Sequence, residues 1–246
     1  MSGSLATKAA TQVGADQPLE LLGPPPRYVG RGGQKLEAAL DRFGIDPSGQ
    51  RCVDAGASTG GFTDCLLQRG ATEVVAVDVG YGQLHERLRV DPRVRNLERT
   101  NVRSLRPDDV GGPAGVVVAD LSFISLTTVA PALLRLVDPG TGQLVALVKP
   151  QFEAGRVEAA RGKGVIRSPA VWRRVLGEVG DAVSAEGATM MDAMVSPLTG
   201  ADGNVEFLVR VVANGATGGP ATVAVDLDAV VAEASARHRS DPPADR

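Results

Sequence analysis

Charged residues stand where short apolar runs of this sequence end, and their spacing suggests chemistry. Val53-Asp54 runs straight into Ala55-Gly56-Ala57-Ser58-Thr59-Gly60-Gly61-Phe62, a glycine turn between a strand and a helix. Glycines there allow close approach of a ligand, and the free amides of a helix start attract an anion. Asp78 closes the next apolar run, 24 residues after Asp54, near the ~20-residue offset at which an acidic side chain meets ribose hydroxyls in nucleotide sites. Asn101, after a third run, is a candidate for an adenine edge or simply a turn former. Asp120 ends Val116-Val117-Val118-Ala119, and Lys149 ends Leu144-Val145-Ala146-Leu147-Val148. If those runs are neighbouring strands, the two opposite charges converge on one reacting atom; the alternative is a structural ion pair. Lys35, opening a helix-period stretch, and Glu206, at the start of the last apolar run, are two further charges in comparable places.

The elements that must position these residues follow from the hydropathy pattern. Strands are expected at 51–54, 73–78, 94–97, 116–120, 144–149, 189–195 and 205–212, with helices at 62–69, 82–90, 125–137 and 169–186. The first five strands are nearly continuous β-branched or apolar runs, as strands covered on both faces should be, and their alternation with helices predicts crossovers around a parallel sheet. Residues 196–203 are too few for a crossover helix, so the last two strands should pair antiparallel. The expected fold is α/β, a Rossmann-like class I methyltransferase with a seven-stranded, mostly parallel sheet and one antiparallel strand. In such a fold the ligand lies at the strands' carboxyl ends. The glycine spacing departs from the dinucleotide fingerprint, and the loop suits the amino-acid end of S-adenosyl-L-methionine, with its carboxylate on the amides and its ammonium near Asp54 or a carbonyl. An ordinary strand-to-helix turn is the other reading.

Residues 58–62 (Ser-Thr-Gly-Gly-Phe), 78–82 (Asp-Val-Gly-Tyr-Gly), 119–125 (Ala-Asp-Leu-Ser-Phe-Ile-Ser) and 148–153 (Val-Lys-Pro-Gln-Phe-Glu) closely resemble the hemolysin A, or TlyA, family of FtsJ-like ribose 2′-O-methyltransferases. The resemblance spans about 27–213 and is to the catalytic domain; the family's N-terminal RNA-binding domain has no counterpart in the 26 residues before it. It implies that Lys35, Asp120, Lys149 and Glu206 form the family's Lys-Asp-Lys-Glu catalytic tetrad. The glycine turn and the strand ends make Asp54, Gly56, Ser58, Thr59, Gly60, Gly61, Phe62, Asp78, Asn101 and Asp120 the candidates to hold S-adenosyl-L-methionine, and the resemblance implies that the acceptor is an RNA ribose, with ribosomal RNA (cytidine) or a ribosomal subunit as the target. In the mechanism this suggests, Lys149 is the general base toward the 2′-hydroxyl, Asp120 orients it, and Lys35 and Glu206 hold the acceptor. No metal is required.

Composition bounds the alternatives. The chain has 246 residues, 43% apolar and 22% charged, with a net charge of −3, which is ordinary globular composition. An acidic chain offers no global attraction for RNA, so a small-molecule acceptor is the competing reading. Two segments are nevertheless basic: 87–103 carries six arginines against Asp91 and Glu98, and 156–174 carries six basic residues against Glu158. These could contact phosphates or be solvated faces. A non-catalytic hemolysin or RNA-binding protein is a third reading, disfavoured by the intact tetrad and by the lack of a membrane-length apolar window. Two cysteines, Cys52 and Cys65, exclude a disulfide scaffold or four-cysteine zinc site, fit a cytoplasmic location and should pack as small apolar groups. His85 and His238 lack partners for metal or nucleophilic chemistry. Trp172 should pack a helix, and Phe62, Phe123, Phe152 and Phe207 are expected to wall the pocket. Residues 1–26 are read as a mobile leader, 27–213 as the methyltransferase domain, and 214–246 as a loop and tail with a possible short helix over 226–238.

Overall fold

A computed structural model describes residues 26–200, 202–213 and 225–240, with the isolated residues 14 and 16. The rest of the expected leader and the expected loop at 214–220 lie outside the described residues. The chain runs α1 (Gly32–Phe43), β1 (Arg51–Ala55), α2 (Gly61–Gln68), β2 (Glu73–Val77), α3 (Glu86–Arg89), β3 (Val94–Leu97), β4 (Val116–Ala119), α4 (Leu126–Leu136) and β5 (Gln143–Val148). It continues through α5 (Pro150–Glu153), α6 (Arg156–Arg161), α7 (Pro169–Ala185), β6 (Ala188–Val195), β7 (Phe207–Ala213) and α8 (Leu227–Ser240).

The seven strands form one sheet in the order β3-β2-β1-β4-β5-β7-β6. Pairing is parallel from β3 to β5, and β7 runs antiparallel to both β5 and β6. The sheet reverses its order between β1 and β4, the switch point at which α/β sheets open a crevice for ligand.

Alternation along the central strands explains the packing. Val53 and Val117 face a core with Leu133, Leu136 and Val175 from α4 and α7, whereas Cys52, Val116 and Val118 face Leu36, Leu40 and Leu66 from α1 and α2. Both strand faces are therefore dry, which is why the sequence showed uninterrupted apolar runs rather than alternation. Both cysteines are buried and free, with burial pushing each thiol up to about 12. Trp172 is 1% exposed and donates from its indole to the Ile166 carbonyl at 3.1 Å, so it does pack a helix. The C-terminal helix α8 adds Val230, Val231 and Ala234 to the α4–α7 core.

Two expectations need correction. The helix expected over 82–90 shrinks to Glu86–Arg89, because Gly82 sits at φ +68° and His85 caps the short helix by accepting from the Arg87 amide. Glu206 precedes β7 rather than opening it, and Asp78, Asp120 and Lys149 each stand one residue beyond their strands. No helix among the described residues is long and apolar enough to cross a membrane.

Candidate active site

The β1–α2 turn and the first turn of α1 form the walls of a cleft of about 210 Å³, lined by Gly56, Ala57, Ser58, Thr59, Gly61 and Phe62 on one side, Arg31, Gly32 and Lys35 on the other, and Asp120. Sequence dictates how closely these walls approach. Gly56 holds φ +86°, and a Cβ there would stand 2.4 Å from the Asp120 carbonyl oxygen, which only glycine avoids. A Cβ on Gly61 would sit 3.0 Å from the Gly33 amide, so the starts of α1 and α2 are brought together by glycines on both. The start of α2 presents amides without intrahelical partners and a partial positive charge, and Arg31 lines the facing wall, whereas at α1 the Gly33 and Gln34 amides donate to the Gly30 and Arg31 carbonyls and Lys35 is paired with Glu206. The cleft is therefore suited to an anionic group.

Asp78 braces the glycine wall from behind and does not itself line the cleft. Its two oxygens accept the Ser58 amide at 2.8 Å and the Gly80 amide at 2.7 Å, tying the glycine turn to the loop after β2 while leaving lone pairs for a diol. Asn101 accepts the Arg103 amide at 3.0 Å and caps a short 3₁₀ turn; it is exposed and does not line the cleft. Neither Asp54 nor Gly60 lines it: a Cβ on Gly60 would meet Leu88 at 2.2 Å, so that glycine admits α3.

Asp54 lies fully buried beneath the turn. One oxygen accepts the Thr63 hydroxyl at 2.7 Å; the other has no hydrogen-bond partner among the described residues. Desolvation raises this carboxyl to about 7, against the lowering by Thr63 and with Asp120 and Asp78 adding repulsion. The sign of its effect on stability follows. Below about 4 both the folded and unfolded chains hold the proton, and between about 4 and 7 only the folded one does, so stability falls as pH rises through that window and is flat above it. The gap between wild type and Asp54→Asn in denaturant unfolding should therefore change across pH 4–7, by up to about 4 kcal/mol. Parallel curves for the two proteins would contradict this placement.

The four charges singled out by resemblance form two close pairs. Lys149 Nζ lies 2.5 Å from Asp120 Oδ1 and donates to Ser122 Oγ at 2.9 Å; the pairing of β4 with β5 puts the residues after those strands side by side. Lys35 Nζ donates to Glu206 Oε2 at 2.5 Å, and both residues are buried. Asp120 connects the groups, since it lines the cleft with Lys35 and also meets Lys149. Three residues were missed. Ser122 and Arg31 could have been found from their positions, one just after a strand end and one at a helix start, whereas Glu153, described below, left no local signal. Of the four phenylalanines, Phe62 lines the cleft, but Phe207 is buried in the core against Trp172. Phe123 is 91% exposed, at φ +64°, with its ring 5.2 Å from that of Phe152.

Among the described residues no group of three His, Cys, Asp or Glu side chains could hold a metal ion. A buried acceptor oxygen on Asp54 close to the helix-start donors is, by contrast, what a zwitterionic amino-acid group needs, and Asp78 stands at the second strand end. The residues present fit S-adenosyl-L-methionine.

Comparison with known proteins shows the family. Residues 28–212 match the model of the FtsJ-like methyltransferase family. The chain is 48% identical over 210 residues to the 16S/23S rRNA (cytidine-2′-O)-methyltransferase TlyA of Mycobacterium tuberculosis, covering 85% of this chain and 78% of that one. It is 40% identical over 185 residues to hemolysin A of Brachyspira hyodysenteriae, covering 75% and 76%. A solved structure from Streptococcus thermophilus, named as a hemolysin, superposes with a TM-score of 0.81 at 41% identity, covering 89% of this chain and 78% of that one. With its seven-stranded sheet and these relatives, the chain belongs to the FtsJ-like methyltransferase family, in the branch that includes TlyA and hemolysin A.

Proposed function

We propose that this enzyme methylates the 2′-hydroxyl of a ribose in RNA, with a cytidine of ribosomal RNA as the target and S-adenosyl-L-methionine as donor. When bound, the donor supplies an electrophilic methyl group on a sulfonium. The observation that carries the reading is the Lys149–Asp120–Ser122 cluster beside the glycine-walled cleft. An ammonium has three donors. Ser122 takes one, the Asp120 carboxylate lies against the nitrogen as an ion-pair partner, and a position on the nitrogen is left for the acceptor hydroxyl. Lys149 then removes the hydroxyl proton as the oxygen gains its methyl, and Asp120 receives the resulting ammonium. The cleft residues place the donor, and the Lys35–Glu206 pair fixes the wall opposite.

Two surface features favour RNA over a small acceptor. Phe123, in the loop that carries Ser122, offers a bare aromatic face to a base. Within the basic segments Arg87, Arg93, Arg161, Arg173 and Arg174 are in ion pairs, whereas Arg89, Arg95, Arg103, Lys163 and Arg167 are exposed and have no acidic partner at ion-pair distance among the described residues. The relative named as an rRNA (cytidine-2′-O)-methyltransferase supports the same acceptor.

Labelled-methyl transfer to intact ribosomal subunits, naked ribosomal RNA and a metabolite extract in parallel tests the proposal. Label in RNA, mapped to a ribose, is expected; label confined to a metabolite would replace the reading with the small-molecule one. Phe123→Ala should lower kcat/KM for RNA by roughly 10- to 100-fold, as loss of one base–aromatic stack does, with cofactor affinity unchanged. RNA affinity should also fall steeply with salt as released counterions are repaid.

A further inference from the structure

We infer that Glu153 is a positioning residue for the acceptor: it fixes the loop between β4 and α4 and thereby the place where Phe123 stands. This rests on the proposed RNA reading for its consequence, but not for the contact itself. Glu153 ends α5, four residues after Lys149, and reaches across to the start of α4. One carboxylate oxygen accepts the Leu126 amide at 2.6 Å and the other accepts the Ser125 hydroxyl at 2.5 Å.

Helix capping alone does not explain the arrangement. α4 already has its own N-cap, since Ser125 Oγ accepts the Thr127 amide at 3.2 Å. A second acceptor, brought from another element and half withdrawn from solvent, adds a tie between two loops. Three contacts join those loops: Lys149 to Asp120 and Ser122, the Phe152 ring to the Phe123 ring, and Glu153 to Ser125 and Leu126. The first two involve groups placed at the acceptor. Glu153 does not line the glycine-walled cleft, although it borders a small cavity together with Lys149.

The loop needs such a restraint. Phe123 holds φ +64°, a backbone conformation that costs a residue with a Cβ and persists only where the surroundings impose it. Its ring is almost bare apart from the contact with Phe152, so packing of its own side chain supplies little of the restraint. Charge-assisted bonds from the Leu126 amide and Ser125 hydroxyl, within three residues of Phe123, can supply it.

Hydrogen exchange on the full chain and a double-mutant cycle together decide the matter. Glu153→Ala should speed amide exchange in 121–127 at least tenfold while leaving 56–63 unchanged. It should lower kcat/KM for ribosomal RNA at least tenfold, chiefly through KM, with cofactor Kd within twofold. In a Phe123→Ala background the same substitution should cost less than twofold more, because the ring it positions is gone. Glu153→Gln keeps an acceptor for the Leu126 amide and should recover part of the loss, which guards against misfolding of the alanine variant. Unchanged exchange at 121–127, or losses that multiply in the double variant, would overturn the inference. If wild type methylates no RNA, the proposed function fails while the exchange result still judges the clamp.

Discussion

Lys149→Met should lower methyl transfer to RNA by about 10²–10⁴-fold, the contribution expected of a positioned general base, and leave cofactor affinity within a few fold. The separation of the two effects comes from geometry. Lys149 contacts Asp120 and Ser122 but is absent from the lining of the glycine-walled cleft, so its removal takes away the proton acceptor without reshaping the donor's seat. Lys149→Arg should be as inactive as the methionine variant, because a guanidinium keeps its proton in any protein setting; it therefore distinguishes proton removal from mere positive charge. Asp120→Asn is a poorer probe, since that residue serves both the lysine and the cleft. Single-turnover transfer with calorimetry of donor binding reads both quantities. Turnover kept within tenfold by either lysine variant would remove Lys149 from the chemistry.

How much of this was legible in the sequence depended on whether the signal was local. The β4 and β5 strands announced themselves because both faces are buried, and the placement of Asp120 and Lys149 beside one another then followed from the expectation that those strands are adjacent. The glycine turn was equally local. The short α3 was overread because an apolar period through Leu84 and Leu88 resembles a helix, while the Asp78 carboxylate bonding the Gly80 amide and the left-handed Gly82 hold the chain irregular until His85. Lys35 and Glu206 meet across 171 residues of chain; spacing cannot show such a pair, and only family resemblance joined them. Glu153 was quoted inside a motif yet had no assigned work, because its partners Ser125 and Leu126 belong to a different element and the need for it arises from a backbone angle at Phe123. Phe207 failed as a pocket wall for the converse reason: one residue beyond Glu206, its alternate side points into the core.

The buried pair itself should behave in a way that separates folding from catalysis. Glu206→Leu leaves Lys35 as a charge with little water around it, since the lysine side chain is 11% exposed and that of Glu206 2%. Breaking such a pair from one side costs about 3–5 kcal/mol, enough to consume much of the usual margin of a domain. Lys35→Met strands the deeper carboxylate and should be at least as damaging. The double variant Lys35→Met/Glu206→Leu removes both charges and both desolvation penalties, so its stability should return to within about 1–2 kcal/mol of wild type or exceed it. Activity should not return with it, because the wall facing Asp120 then presents hydrocarbon where the acceptor needs a donor. Denaturant midpoints for the four proteins of this cycle, set beside methyl transfer by the stable double variant, make the comparison. A stable and active double variant would reduce Lys35–Glu206 to a structural ion pair; a double variant as unstable as the singles would show that the two side chains are held by partners other than each other.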